Sequence, residues 1–343
     1  MSKRDISRYC DLADRLVTLD LRGRGVITKL WEAARGEGES LTLRCAELID
    51  KNVKEEDNVF ILTGFFCYLV PADLIPVLKP THLVQETDGP PGAASLARAI
   101  KLGCKATPII LTEEAALDIT VKTCMGLGLN VLESVEEAKK AQSAVVVLPF
   151  PINEEKAKGE AKRLLDEFNP SLVAAVEKVS PNVKGIHHSA SGFSVHDHSA
   201  KVGILWEDAT AQGIPTIGIA DGGNEIGMGN IMETVKKIVP NAAKCKCPCG
   251  AGTAAALKAT ELFAAYISNW GAYAIAAGLA ALKDDLNLVQ TGAMELRMVR
   301  ACVDAGAIDG VTQLTYPGAD GEDEEVNSWI PEMLRRAYTK YFK

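Results

Sequence analysis

A mainly parallel, doubly wound α/β sheet covered by helices, preceded by a helical N-terminal segment, is the fold class this sequence predicts. Two observations carry the prediction. Short, wholly apolar and often β-branched runs recur along the chain, separated by stretches of helical periodicity, which is how parallel strands buried on both faces and their crossover helices read. The first fifty residues show the helical pattern alone.

The elements follow in chain order. Ile6 to Leu19, Gly25 to Ala34 and Leu41 to Ile49 carry apolar residues at helical spacing. In the third, Leu41, Cys45, Leu48 and Ile49 share a face that leaves out Arg44 and Glu47. Arg22-Gly23-Arg24-Gly25 breaks the first two helices apart. The strand-like runs are Asn58 to Gly64, Pro108 to Leu111, Asn130 to Leu132, Ala144 to Leu148 and Pro215 to Ala220. Helical patterns fill Gly92 to Leu102, Glu113 to Met125, Glu154 to Phe168 and Trp206 to Gln212. No linker, repeat or low-complexity tract interrupts the chain. Residues 1–343 therefore read as one α/β domain, with 1–52 its helical N-terminal segment and 53–343 its α/β body. The acidic run Asp320 to Glu325 reads as a solvated loop whose last acids favour the N-terminus of a final helix, Val326 to Tyr341.

Charge narrows the partners. The chain carries 45 acids against 37 bases. Nucleic acids and anionic membranes demand a basic footprint, so both are excluded and a small acidic substrate is expected. Ala272 to Leu282, the longest apolar stretch, is too short to span a bilayer. The charged start Met1-Ser2-Lys3-Arg4-Asp5 has no apolar run after it, so a cytosolic location is expected. A homo-oligomer is left open. Of the nine cysteines, most stand singly among apolar neighbours and read as reduced, buried thiols. Cys245-Lys246-Cys247-Pro248-Cys249 is the exception. Its one-residue spacing differs from that of zinc knuckles, no second cysteine cluster completes a site, and a redox or metal role stays open.

Chemistry should sit in loops beyond the carboxyl ends of the strands. The first such loop, Glu86-Thr87-Asp88-Gly89-Pro90-Pro91-Gly92, follows the strand-like His82 to Gln85. Glu86 and Asp88 alternate, so an extended backbone turns both to one side; the plainer alternative makes Asp88 a helix cap. The second, Asp221-Gly222-Gly223-Asn224-Glu225-Ile226-Gly227-Met228-Gly229, follows Pro215 to Ala220. Its glycines can aim successive N–H groups of Gly222 and Gly223 into an anion-binding nest. Asp221, Asn224 and Glu225 are hard oxygen ligands of the kind manganese, magnesium or calcium takes. The loop matches neither the Walker nor the dinucleotide fingerprint, and a glycine turn closing a strand is its alternative. Four of the five histidines fall in His187-His188 and His196-Asp197-His198. The first pair, His188 above all, are the candidates for a ligand or proton carrier, against exposed loop histidines. Ser268 and Asn269 of Ser268-Asn269-Trp270-Gly271 can orient a polar substrate or simply cap the next helix.

Together, ETDGPPGA at 86–93, DGGNEIGMG at 221–229 and SNWGAYA at 268–274 resemble the signature segments of the D-glutamate cyclase family, and RGRG at 22–25 and IDGV at 308–311 look similar too. The resemblance covers most of the chain. It implies conversion of D-glutamate to 5-oxo-D-proline with loss of water. A divalent metal (Mn2+ or Mg2+, or Ca2+) held by Glu86, Asp88, Asp221 and Glu225 would polarise the side-chain carboxylate. A spare carboxylate or His188 would take the amine proton, the Gly222-Gly223 nest would hold the substrate α-carboxylate or the oxyanion, and Asn269 would read the head group. A metal-dependent phosphohydrolase would use the same acids, a sensor of acidic metabolites would bind without turnover, and a pyridoxal-phosphate enzyme is disfavoured for want of a lysine in a recognisable setting.

Overall fold

The structure is a computed structural model that describes residues 2–71, 73–79 and 82–342; Met1, where the N-terminal reading begins, lies outside them. Three helices open the chain, α1 (Lys3–Val17), α2 (Val26–Arg35) and α3 (Leu41–Asn52). Ser2 and Ser40 cap the first and third with their side chains. Strand β1 (Asn58–Thr63) then leads into a short antiparallel pair, β2 (Phe66–Tyr68) and β3 (Leu83–Gln85), with the one-turn helix α4 (Ile75–Leu78) between them. Next come α5 (Pro90–Cys104), β4 (Thr107–Thr112), α6 (Leu117–Leu127), β5 (Asn130–Val131), α7 (Val135–Lys140), β6 (Ala144–Pro149) and α8 (Glu154–Phe168). The second half runs β7 (Leu172–Val176), α9 (Val202–Ala211), β8 (Thr216–Ala220), α10 (Met232–Ile238), β9 (Glu261–Ala264), α11 (Ser268–Lys283) and α12 (Gly292–Asp304). The turn between β10 (Gly318–Ala319) and β11 (Glu322–Asp323) precedes α13 (Glu324–Phe342).

Seven strands form one sheet in the order β5-β6-β4-β1-β7-β8-β9, every pairing parallel. The fold class is therefore the one the sequence predicts. Alternation along β1 shows how the strands serve two cores: Val59 and Ile61 face one, Phe60 and Leu62 the other. The first core packs the N-terminal helices, through Tyr9, Val17, Leu30 and Leu43, against the sheet and α11. The second closes under α8 and α9 with Leu164, Leu205 and Trp206. No helix among the described residues is long and apolar enough to cross a membrane.

Two strand readings change. The run at 82–85 is a strand, but it pairs with β2 rather than entering the main sheet, because the chain turns at Gly64 directly after β1. Leu172–Val176, not singled out in the sequence, belongs to the sheet, as does Glu261–Ala264, the apolar run ahead of the turn at 267–273. The order places a topological switch between β1 and β7: the chain moves outward one way through β4 and β6, then returns to build β7, β8 and β9. Ligand crevices form at such switches, beyond the carboxyl strand ends.

Candidate active site

Three carboxylates converge at that switch. Glu177 directly follows β7, Asp221 directly follows β8, and Asp88 arrives on the turn that starts α5; each offers an oxygen within 4.8 Å of the other two. Glu177 was not foreseen. It holds a left-handed backbone with φ of 44°, a conformation that costs a non-glycine residue about 1–3 kcal/mol and persists where its surroundings fix it. Its Oε2 accepts a 2.5 Å hydrogen bond from Ser268 Oγ. The adjoining Lys178 does not neutralise it: that buried ammonium donates instead to Glu113 Oε1 at 2.5 Å and to the Gly64 carbonyl at 3.0 Å.

Asp88 does act as a cap, although of a different helix from the one expected. It accepts from the amides of Ser268 at 2.9 Å and Asn269 at 2.8 Å, so it sits on the N-terminus of α11, and from Gly89 at 3.0 Å. Asn269 completes the joint in the other direction. Its Oδ1 accepts from Gly89 N at 3.0 Å and Gly92 N at 2.7 Å, and its Nδ2 donates to the Thr87 carbonyl at 3.0 Å. The glycines of the turn are dictated by this contact: a Cβ on Gly92 would lie 2.9 Å from Asn269 Cα, and Gly89 has φ of 107°. Every polar atom of the Asn269 side chain is thus engaged with the 87–92 loop, and the head-group role is corrected to that of a staple. Replacing Asn269 with Ala strands the Gly92 amide and the Thr87 carbonyl, at about 1–3 kcal/mol for each unsatisfied group, while the Gly89 amide keeps Asp88. We expect a stability loss of roughly 2–4 kcal/mol in urea unfolding, since some of these groups can relax toward water; an unchanged midpoint would show that the staple is not needed to hold the loop.

Glu177 and Asp221 face a cavity of about 700 Å³, whose lining also includes Glu86, Asn224, Glu225 and Asp320. Glu86 accepts from Cys67 Sγ at 3.0 Å, and a Cβ on Gly310 would fall 2.0 Å from its Oε2, so the IDGV segment provides the shelf beside it. Asp309 ties that segment to the β10–β11 turn by accepting from Gly321 N at 2.7 Å. The turn presents Asp320 to the cavity, so this member of the acidic run is part of the site rather than a solvated loop residue. Burial raises the carboxyls of both Asp221 and Asp320, and the nearness of Asp320 raises Asp221 further.

The glycine nest is already filled. Glu225 accepts from Gly222 N at 3.2 Å and from Gly223 N at 2.8 Å, so these amides are not free for a substrate carboxylate and that role is corrected. Asn224 lines the cavity while its Nδ2 donates to the His188 carbonyl at 2.9 Å. His188 is corrected as well. Its Nδ1 bonds the Ile186 carbonyl at 3.0 Å and its Nε2 lies 3.1 Å from Cys247 Sγ, leaving neither nitrogen for a reacting proton. His187 pairs with His196 across 2.9 Å, and His196 to His198 form a 3₁₀ turn ahead of α9.

Burial pushes the carboxyls of Glu86, Asp88, Glu177 and Asp221 well above the usual range, reinforced by their mutual repulsion and by Asp320. Burial raises Glu225 to about 7, against the pull of its glycine amides. Arg22 and Arg24 pull the Asp320 carboxyl down, against the burial that raises it. Such uncompensated crowding of hard oxygen donors suits a divalent cation. Among the described residues two groups of side chains are placed to hold a metal ion: Asp88, Glu177 and Asp221, and separately His188, Cys245, Cys247 and Cys249. Glu86 and Glu225 stand on the same cavity but outside the three-acid group.

Fold and site together define an α/β protein with an acid-lined cavity at the sheet's switch point. The family described as D-glutamate cyclase-like, C-terminal, matches residues 13–335, and the chain belongs to that family. It is similar to the human protein named D-glutamate cyclase, mitochondrial, at 26% identity over 230 residues, which is 65% of this chain. The matched region is 32% of the human protein's length, about a third of it.

Proposed function

We propose that this chain is a D-glutamate cyclase-like lyase that closes D-glutamate to 5-oxo-D-proline and water in the acid-lined cavity, with a divalent cation on Asp88, Glu177 and Asp221. The convergence of those three buried carboxylates, in a chain of this family, is the observation that carries the reading. Manganese or magnesium suits the all-oxygen donor set, with calcium next. When bound, such an ion polarises the side-chain carboxyl of the substrate, which is otherwise a poor electrophile.

The remaining work falls to the protein. Arg24 is the cation among the cavity-lining residues and attracts the substrate α-carboxylate, in place of the occupied glycine nest. The α-amine forms the new C–N bond, one C–O bond of the side-chain carboxyl breaks, and the departing oxygen leaves as water with the protons the amine sheds. Glu225, poised at about 7 on the cavity wall, is suited to carry such a proton near neutral pH. The nine free thiols suit a reducing compartment, and we place the activity in the cytosol.

The test incubates the protein with D- or L-glutamate and Mn2+, Mg2+ or Ca2+, and measures 5-oxoproline by chiral chromatography. We expect cation-dependent product from the D enantiomer. Turnover of a phosphate ester with none of D-glutamate, or ligand-induced stabilisation by D-glutamate without product, would overturn the lyase reading.

A further inference from the structure

The second metal-competent group lies where two irregular segments meet. Between β7 and α9, and again between α10 and β9, the chain forms no helix or strand longer than the 3₁₀ turn at His196–His198. Long structureless connections of this kind need something other than a ladder of backbone bonds to hold them. His188 comes from the first segment; Cys245, Cys247 and Cys249 come from the second. Cys245 Sγ lies 3.3 Å from Cys249 Sγ and 3.7 Å from Cys247 Sγ. His188 Nε2 lies 3.1 Å from Cys247 Sγ and 3.6 Å from Cys249 Sγ. A tetrahedral zinc ion with ordinary bond lengths has edges of about 3.8 Å between sulfurs and about 3.6 Å between nitrogen and sulfur. The four distances lie within about 0.5 Å of those edges, and all four ligand atoms lie within 4.8 Å of one another.

We propose that His188, Cys245, Cys247 and Cys249 form a structural Cys3His zinc site, distinct from the acid cluster. The sequence gives no second cysteine cluster to finish the Cys-x-Cys-x-Cys run; a histidine some sixty residues earlier finishes it instead. The surroundings fit. The Nδ1 bond to the Ile186 carbonyl places the proton on that nitrogen and leaves the Nε2 lone pair facing the sulfurs, as the outer partner of a ligating histidine does. Cys249 N donates to Cys247 Sγ at 3.4 Å and Asn182 Nδ2 to Cys249 Sγ at 3.5 Å, both suited to thiolates. A disulfide would use two of the three sulfurs and leave the third and the imidazole without purpose. A multi-iron cluster needs its sulfur ligands spread more widely than these.

The site bears on the cavity. The His188 carbonyl holds Asn224 of the DGGNEIGMG loop, and Ser189, Ser191, Val239 and Pro240, which flank the two zinc-bearing segments, line the cavity wall. Zinc here pins that wall without touching the reacting atoms.

The test is metal analysis of the full chain purified in reductant without chelator, beside the absorption spectrum of cobalt-substituted protein. We expect one zinc per chain, and cobalt bands of a tetrahedral thiolate site that persist in Asp221→Asn and vanish in Cys247→Ser. His188→Cys, which preserves four soft ligands, should keep the cobalt bands, whereas His188→Ala should weaken them. If Cys247→Ser fails to fold, wild-type thiol titration decides: three cysteines should become reactive only as zinc is released to a chromogenic chelator. Zinc-free wild-type protein that takes up no cobalt, cobalt bands surviving in a folded Cys247→Ser, or a Cys245–Cys249 disulfide in the reduced preparation would overturn the site.

Discussion

Asp221→Asn is expected to abolish the proposed cyclase turnover while leaving the metal-free protein as stable as the wild type or more so. The activity loss follows from the oxygen set: Asp88 and Glu177 are left as two of three converging carboxylates. Removing an outer-shell partner of a metal ligand costs roughly 10–100-fold, so loss of the ligand's own charge should cost more. The stability effect has the opposite sign for a local reason. Without a cation, burial and the neighbouring Asp320, Glu225 and Asp88 all disfavour a charged Asp221. An asparagine amide carries no charge to bury and removes the repulsion toward Asp320, Glu225 and Asp88. For a chain of this length each 1 kcal/mol gained appears as roughly 2 °C in the thermal midpoint. Turnover, metal affinity by calorimetry and the midpoint in chelator are measured on one preparation. Wild-type turnover at saturating metal would remove Asp221 from the site, and a collapsed midpoint with or without metal would make it a structural residue of the glycine loop.

The frame of this site was legible because strands and their following loops announce themselves. Apolar runs ending at Gly64 and Ala220 are strands in the structure, and the acids just beyond Ala220 belong to the cavity. Asp88 and Asp221, separated by more than a hundred residues, meet because parallel strands return every loop to one edge. Glu177 escaped notice because the strand before it, Leu172-Val173-Ala174-Ala175-Val176, is diluted by alanines that read equally well as helix. A charged pair standing immediately after five apolar residues was the available signal. Asp320 was hidden by its neighbours: in an acidic run, composition says solvent, and only a hairpin turn with φ of 53° at that residue aims one acid inward. The roles given to His188, Asn269 and the Gly222-Gly223 amides failed for one reason. Sequence shows that a donor or acceptor exists, but not whether another part of the protein already occupies it. Here Cys247, the 87–92 loop and Glu225 are those occupants.

Stability in chelator is expected to fall as pH rises from about 6.5 to 8, and added Mn2+ to restore it by an amount that grows over the same range. Burial and mutual repulsion raise the folded-state pKa of Glu86, Asp88, Glu177 and Asp221, and Glu225 stands at about 7. In the unfolded chain these groups titrate near 4. Above that value the folded protein therefore binds more protons than the unfolded one, and raising pH draws the equilibrium toward unfolding. Their contribution is complete below the unfolded pKa and is lost as pH passes the folded one. His187, His188 and His196 work in the opposite sense, because burial holds their pKa below the ordinary 6.5; the unfolded imidazoles are half titrated at that value and their effect fades above it, which sets the lower limit of the window. Lys201, lowered by burial to about 8, sets the upper. A cation replaces the protons, so its affinity rises with pH, and saturation at 100 times Kd adds about 2.7 kcal/mol. Asp221→Asn is the control in which titrations elsewhere in the molecule cancel: its slope with pH should be shallower than the wild type's. Midpoints collected across the window with chelator and with Mn2+, and calorimetry in buffers of different ionisation enthalpy to count released protons, check both halves. A pH-independent gap between the metal-free and metal-loaded midpoints, or binding that releases no protons, would mean that the cation does not sit on these carboxylates.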